Sequence, residues 1–224
     1  MPNEAKILGV IRGLVQDVLY PINREEQQAE LSGQGEEEFA FAADGYQEEV
    51  RNGRSFWVNN TTAVACVVAI PTTAVNIALY NNEPDGGRSY IIHRVYAQSL
   101  AGPAALVHAG IIGILGQVRE AIPTNSAMTI KQANSGGKND TRARTIVAAS
   151  TLPAGTGLAA NWRPLCTSVS SAVVSLGGLG MVANTRGCFI VPPGRYFGVH
   201  VLGSAVGATF MMGIAWTEKL LTMG

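Results

Sequence analysis

The sequence predicts an all-β protein, an antiparallel β-sandwich of jelly-roll type behind an extended N-terminal arm that includes a short helix. Three observations lead there. Charged residues make up only 14% of the 224 and glycine occurs 26 times, a mix that suits short strands and tight turns. From Phe56 onward, apolar runs of strand length are separated by clusters of Gly, Pro and Asn, with no long helical period between them. The last run, Ala208 to Glu218, sets Phe210, Met212, Ile214 and Trp216 on one face and Met211, Gly213 and Ala215 on the other, the period of two that a strand requires.

Taken in order, Ile7 to Leu19 places apolar residues at helical spacing and ends before Pro21, which suits a short amphipathic helix or equally, because Gly9 and Gly13 weaken it, an irregular arm. Residues 22 to 55 are polar and acidic and read as extended arm and turns, with Asn52-Gly53 a hairpin-turn signal. Residues 1–55 are therefore assigned to an attachment arm and 56–224 to one sandwich domain. Thr62 to Ile70 and Ala74 to Tyr80 predict strands, followed by the turn cluster Asn81 to Gly87. Tyr90 to Ala97 resumes as a strand in which Ile92, Arg94 and Tyr96 oppose Ile91, His93 and Val95. Lys131 to Asp140 reads as an exposed loop tip, with Thr141 to Ala149 the next strand. Cys188 to Val191, the turn Pro192-Pro193-Gly194, Arg195 to Leu202 and Ala208 to Glu218 complete the sandwich.

The formal charge is zero, but residues 1–50 hold eleven acids against three bases, −8, and the remainder holds five against thirteen, +8. Opposite charges on arm and body suit either an acidic exposed arm or one that reaches a neighbouring copy. Cys66, Cys166 and Cys188 form no metal or redox spacing and sit among apolar or small residues, which predicts buried free thiols and a reducing place of folding. Arg12 and Asp17 interrupt the opening segment, so no cleaved leader is expected. Ser99 to Gln117, broken by Pro103 and four glycines, is not expected to span a membrane.

Catalytic chemistry finds little support. The carboxylates after residue 50 are Glu83, Asp85, Glu120, Asp140 and Glu218, three of them in turn clusters. His93, His108 and His200 never take the spacing that places two imidazoles on one metal, and His93 and His200 read as structural. Gly177-Gly178-Leu179-Gly180 lacks the strand and helix context of a phosphate loop. Lys131, Lys138, Arg142 and Arg144 form the one basic cluster, without interleaved aromatics for base stacking. Trp216 reads as core; Trp57 and Trp162 stay open as a sugar-stacking platform.

Gly33-x-Gly35, Gly45-Tyr46-x-Glu48, Gly53-x-x-Phe56, the strand end Leu79-Tyr80-Asn81, Val191-Pro192-Pro193-Gly194 and Ala215-Trp216-x-Glu218 together resemble tailed-bacteriophage virion proteins of the capsid decoration, or cement, jelly-roll type. The resemblance covers roughly residues 30–97 and 186–219. It implies a non-enzymatic sandwich, commonly a homotrimer, made in the host cytoplasm and carried on the virion. Its expected partners are itself and the major capsid protein or other virion proteins, with no cofactor or metal, no specific nucleic acid and no membrane. The partner contacts are expected at Ile7, Ile11 and Leu14, at Glu36, Glu37 and Glu38, and at Lys131, Lys138, Arg142 and Arg144. The alternative is a head-fibre or tail-associated module that recognises a host-surface glycan or protein.

Overall fold

A computed structural model describes residues 45–72, 74–101, 108–117, 119, 128–134, 140–151, 161–169, 180–205 and 207–221. The chain divides into two units, residues 1–48 and 49–224. The helix expected over Ile7 to Leu19, and with it Ile7, Ile11, Leu14, Glu36, Glu37, Glu38 and Lys138, lies outside the described residues.

Among the described residues one helix, α1 (Gly45–Arg51), precedes eleven strands: β1 (Ser55–Asn59), β2 (Val64–Ala65), β3 (Ala74–Tyr80), β4 (Ser89–Ala101), β5 (His108–Leu115), β6 (Ile130–Gln132), β7 (Arg144–Thr151), β8 (Arg163–Val169), β9 (Gly180–Val191), β10 (Tyr196–Gly203) and β11 (Thr209–Lys219). They form two antiparallel sheets, β6-β1-β11-β4-β9 with β2 beside β11, and β7-β3-β10-β5-β8. Set β2, β6 and β7 aside, and the other eight strands pair first with last (β1–β11), second with seventh (β3–β10), third with sixth (β4–β9) and fourth with fifth (β5–β8). The four pairs alternate between the sheets. That is one long hairpin rolled up, the jelly-roll topology, and it bears out the predicted sandwich.

The core lies between the sheets. Phe56 and Val58 of β1, Ile77 and Leu79 of β3, Ile92 and Val95 of β4, Phe197, Val199 and Val201 of β10 and Phe210, Met212, Ile214 and Trp216 of β11 are all fully buried there. Trp216 stacks on Phe56 with ring centroids 5.9 Å apart. A second apolar layer covers the outer face of the β10 sheet, where Val75, Ala78, Tyr80, Ile114 and Tyr196 pack together under Trp162. The central strands β3 and β10 are therefore buried on both faces, which explains why they read as continuous apolar runs, whereas β9 alternates.

Three buried asparagines wire the chain crossings. Asn60 bonds the Thr62 and Phe210 carbonyls. Asn76, opposite a β-bulge, donates to Ala65 O at 3.0 Å and accepts from Val201 N at 2.8 Å. Asn81 donates to Arg88 O and Val191 O, both at 2.8 Å, and accepts from Glu83 N. Each satisfies backbone groups that would otherwise be buried without partners.

Several expectations are corrected. Asn52-Gly53 makes no hairpin: Gly53 at φ +69° closes α1, with Gly53 N bonded to Val50 O and Arg54 N to Glu49 O, a left-handed helix cap. Residues 45–51 are helical where extended arm was expected, and the predicted strand from Thr62 to Ile70 shrinks to β2 plus a bridge at Val67, leaving Val68 and Ile70 exposed. In β4 the predicted alternation breaks, because a bulge between Ile92 and Arg94 puts Ile92, Val95 and Ala97 inside and Arg94 outside. Lys131 lies within β6 instead of in a loop tip. The cysteines are free as expected, but only Cys66 is fully buried; Cys166 is half-buried and Cys188 exposed.

Candidate functional site

The stretch between β5 and β8 adds one strand to each sheet. β6 extends the β11 sheet beside β1, with Trp57 opposite Lys131, and β7 extends the β10 sheet beside β3. Thr145 ties the two: its hydroxyl donates to Met128 O at 2.9 Å and lies 3.2 Å from Met128 N. The insertion thus straps the same side of both sheets and carries the basic cluster foreseen in the sequence. Lys131, Arg142 and Arg144 are all exposed, and among the described residues none forms an ion pair.

The strap is anchored on a buried carboxylate. Glu218, wholly inaccessible near the end of β11, accepts from the Thr141 hydroxyl and from Trp216 Nε1 at 3.4 Å through Oε1, while Oε2 stands 3.4 Å from Arg88 Nη1. Thr141 Oγ1 also accepts from Ala143 N at 3.0 Å, which turns the chain directly before Arg144. Burial pushes the Glu218 carboxyl above the usual carboxylate range; the Thr141, Trp216 and Arg88 bonds oppose that rise. Burial next to Glu218 likewise pushes the Tyr90 phenol far up, so it stays neutral. The cluster is a fastening: its carboxylate is wholly buried, Thr141 and Arg88 close over it from the partly exposed side, and its visible product is the exposed basic strap.

The other sequence candidates resolve as structure. His93 Nε2 meets Thr217 Oγ1 at 2.8 Å, and His200 Nδ1 lies 3.1 Å from Val201 O, with its pKa lowered by burial. Trp162 does not offer its indole to a sugar: Nε1 donates to Pro71 O at 2.9 Å and the ring stands edge-on to His200. Trp57 is half-buried on the outer face of the β11 sheet. That face also carries Tyr96, whose hydroxyl crosses the strand at Gly213 to bond Asn59.

A groove of about 440 Å³ opens where β5, β8 and β10 end, lined by His108, Ile112, Cys166, Thr167, Leu202 and Ser204 among others. Its potential nucleophiles are subdued. Burial pushes the Cys166 thiol up, and the Ser204 hydroxyl accepts from His108 N at 3.2 Å. Among the described residues no three His, Cys, Asp or Glu side chains come together as a metal site, and no helix is long and apolar enough to cross a membrane.

The anchoring asparagines and the Thr141–Glu218 fastening escaped the sequence reading. The one available signal was a lone acid ending an otherwise apolar strand, Ala215-Trp216-Thr217-Glu218. Comparison of the chain with protein-family models and with curated proteins gives no match.

Proposed function

We propose that the protein is a non-enzymatic structural subunit of a bacteriophage virion, of the capsid decoration or cement kind, which binds copies of itself, as a homotrimer, and the major capsid protein or another shell protein. The observation that carries this reading is the strap: exposed Lys131, Arg142 and Arg144, without ion pairs of their own among the described residues, held on a jelly-roll body by the buried Thr141–Glu218 bond. The sequence places the opposite charge, −8, in residues 1–50. An acidic arm from one copy and a basic strap on the next give complementary signs at a contact, which steers encounter and fixes register. Cohesion then comes from apolar area buried at about 25 cal/mol per Å² over many copies.

The test is particle association of the full chain against a truncation that begins at Asn52. Loss of the arm abolishes attachment while the sandwich still melts cooperatively. Truncated protein that occupies particles fully refutes the arm as fastener, and a copy number of a handful per particle moves the protein from shell to neck or tail.

A further inference from the structure

A sandwich of two open sheets has four edges, and three of these carry devices that discourage another strand from adding. β6 is three residues long with Lys131 at its centre, β7 opens on Arg144, and β8 opens on Arg163-Pro164. β9 is different. It runs for twelve residues, and among the described residues it pairs with β4 alone. Its first half, Gly180-Met181-Val182-Ala183-Asn184-Thr185, contains no charge and no proline, and Val182 at its centre is 56% exposed.

The direction of the free backbone groups follows from the ladder. Asn60 N bonds Met212 O, so Met212 faces β1 and its neighbour Gly213 faces β4, opposite Tyr96. Tyr96 therefore points its N–H and C=O at β11, and Val95 and Ala97 point theirs at Ala183 and Met181 of β9. By the same alternation Gly180, Val182 and Asn184 direct their N–H and C=O groups away from β4, along the open edge.

The geometry points to a second copy of this chain as the occupant, adding its own β9 antiparallel about a twofold axis at Val182. Val182 then exchanges both bonds with its mate, and Gly180 exchanges both with Asn184 of the other copy in each direction, about six backbone hydrogen bonds in all. The two Val182 side chains meet as an apolar β-branched pair. Nothing in the segment repels its mate: the nearest exposed charge on the strand, Arg186, ends up about 26 Å from its counterpart at ~3.3 Å per residue, beyond the screening length of about 8 Å. Arg94 on the adjoining strand is already bonded to Asn184 Oδ1 at 3.0 Å. The contact is isologous and closes on itself, linking copies in twos whatever symmetry gathers the other faces.

This surface deepens the structural reading, resting on it for its purpose though not for its geometry. The test is the native mass of the full chain over a concentration series, by light scattering and native mass spectrometry, for wild type, Val182→Pro, Val182→Lys and Val182→Thr. Proline removes an N–H that serves no bond among the described residues, and lysine sets two cations opposite each other, so both halve the wild-type mass with the melting profile kept; threonine leaves the mass unchanged. In wild type the amides of Val182 and Asn184 gain hydrogen-exchange protection as concentration rises. A wild-type mass that never doubles, or folded proline and lysine variants that keep it, overturns the proposal. Doubling without any particle association refutes the virion reading and leaves the strand pairing standing.

Discussion

Gly198→Ala is the substitution that best tests the two-layered packing of the β10 sheet. In an ordinary strand this change is favourable, because glycine there costs roughly 0.5–1 kcal/mol relative to alanine. Here Gly198 faces the outer apolar layer, and a Cβ on it comes 2.7 Å from Val75 Cγ1 and 3.0 Å from Ile114 Cγ2. Both neighbours are at most 2% exposed and β-branched, so neither can rotate out of the way. Overpacking of this kind costs about 1–3 kcal/mol, which outweighs the intrinsic gain and leaves a net loss of about 1–2 kcal/mol. For a chain of this length that lowers Tm by roughly 2–8 °C, read by calorimetry or circular dichroism. The companion measurement is the cycle with Val75→Ala. Removing Val75 Cγ1 opens the space that the new methyl needs, so the double variant is more stable than the two single losses sum to, by on the order of 1 kcal/mol. A Gly198→Ala protein as stable as wild type, or a cycle that closes additively, refutes the second buried layer.

Two further perturbations address the strap. Burial raises the folded-state pKa of Glu218 above its unfolded value, so the folded chain binds that proton more tightly; the stability this contributes is full below about pH 4.5 and is lost as pH rises through the raised pKa. Glu218→Gln keeps an acceptor for Thr141 and Trp216 without the charge, so the Tm difference, variant minus wild type, grows from acid towards neutral pH; a difference that is flat or shrinks with pH contradicts the assignment. Reversing Lys131, Arg142 and Arg144 together to glutamate changes exposed side chains that hold no ion pair among the described residues, so stability shifts by no more than about 0.5 kcal/mol per site. Particle association then weakens and loses its salt dependence, and unchanged binding rules the strap out as a contact.

How far the sequence spoke can be seen strand by strand. β11 was legible because Phe210, Met212, Ile214 and Trp216 recur with a period of two on the core face, although burial itself runs unbroken from Met212 to Glu218. In β4 the spacing was read correctly as a strand and assigned the wrong faces, since against β11 one extra residue, His93, between Ile92 and Arg94 moves every later side chain to the opposite side. Asn52-Gly53 supplied a residue able to take positive φ, and both a hairpin and a helix cap need one; only the long-range pairing of β1 with β11 decides between them. Thr62 to Ile70 has the composition of a strand but serves as the crossing from one sheet to the other, where Asn60 and Asn76 hold the backbone in place of a ladder.

The same asymmetry separates what the candidate site revealed early from what it kept hidden. Exposed charges announce themselves in a sequence, because Lys131, Arg142 and Arg144 stand out against an almost uncharged body. Their orientation does not, because it depends on a bond between Thr141 and Glu218, seventy-seven positions apart. Edge vulnerability lies between these cases. The absence of charge and proline from Gly180 to Thr185 is visible in the sequence, yet an apolar stretch of that kind belongs equally to a central strand, where its backbone groups are consumed on both sides. Only the strand order, with β9 last in its sheet and the alternation traced from Asn60 through Met212 and Tyr96, turns a bland segment into a row of outward-facing donors and acceptors. A jelly roll that guards three edges with charge, proline or brevity and, among the described residues, leaves Gly180 to Thr185 of the fourth unguarded keeps open the stretch of edge proposed to join two copies through their backbones.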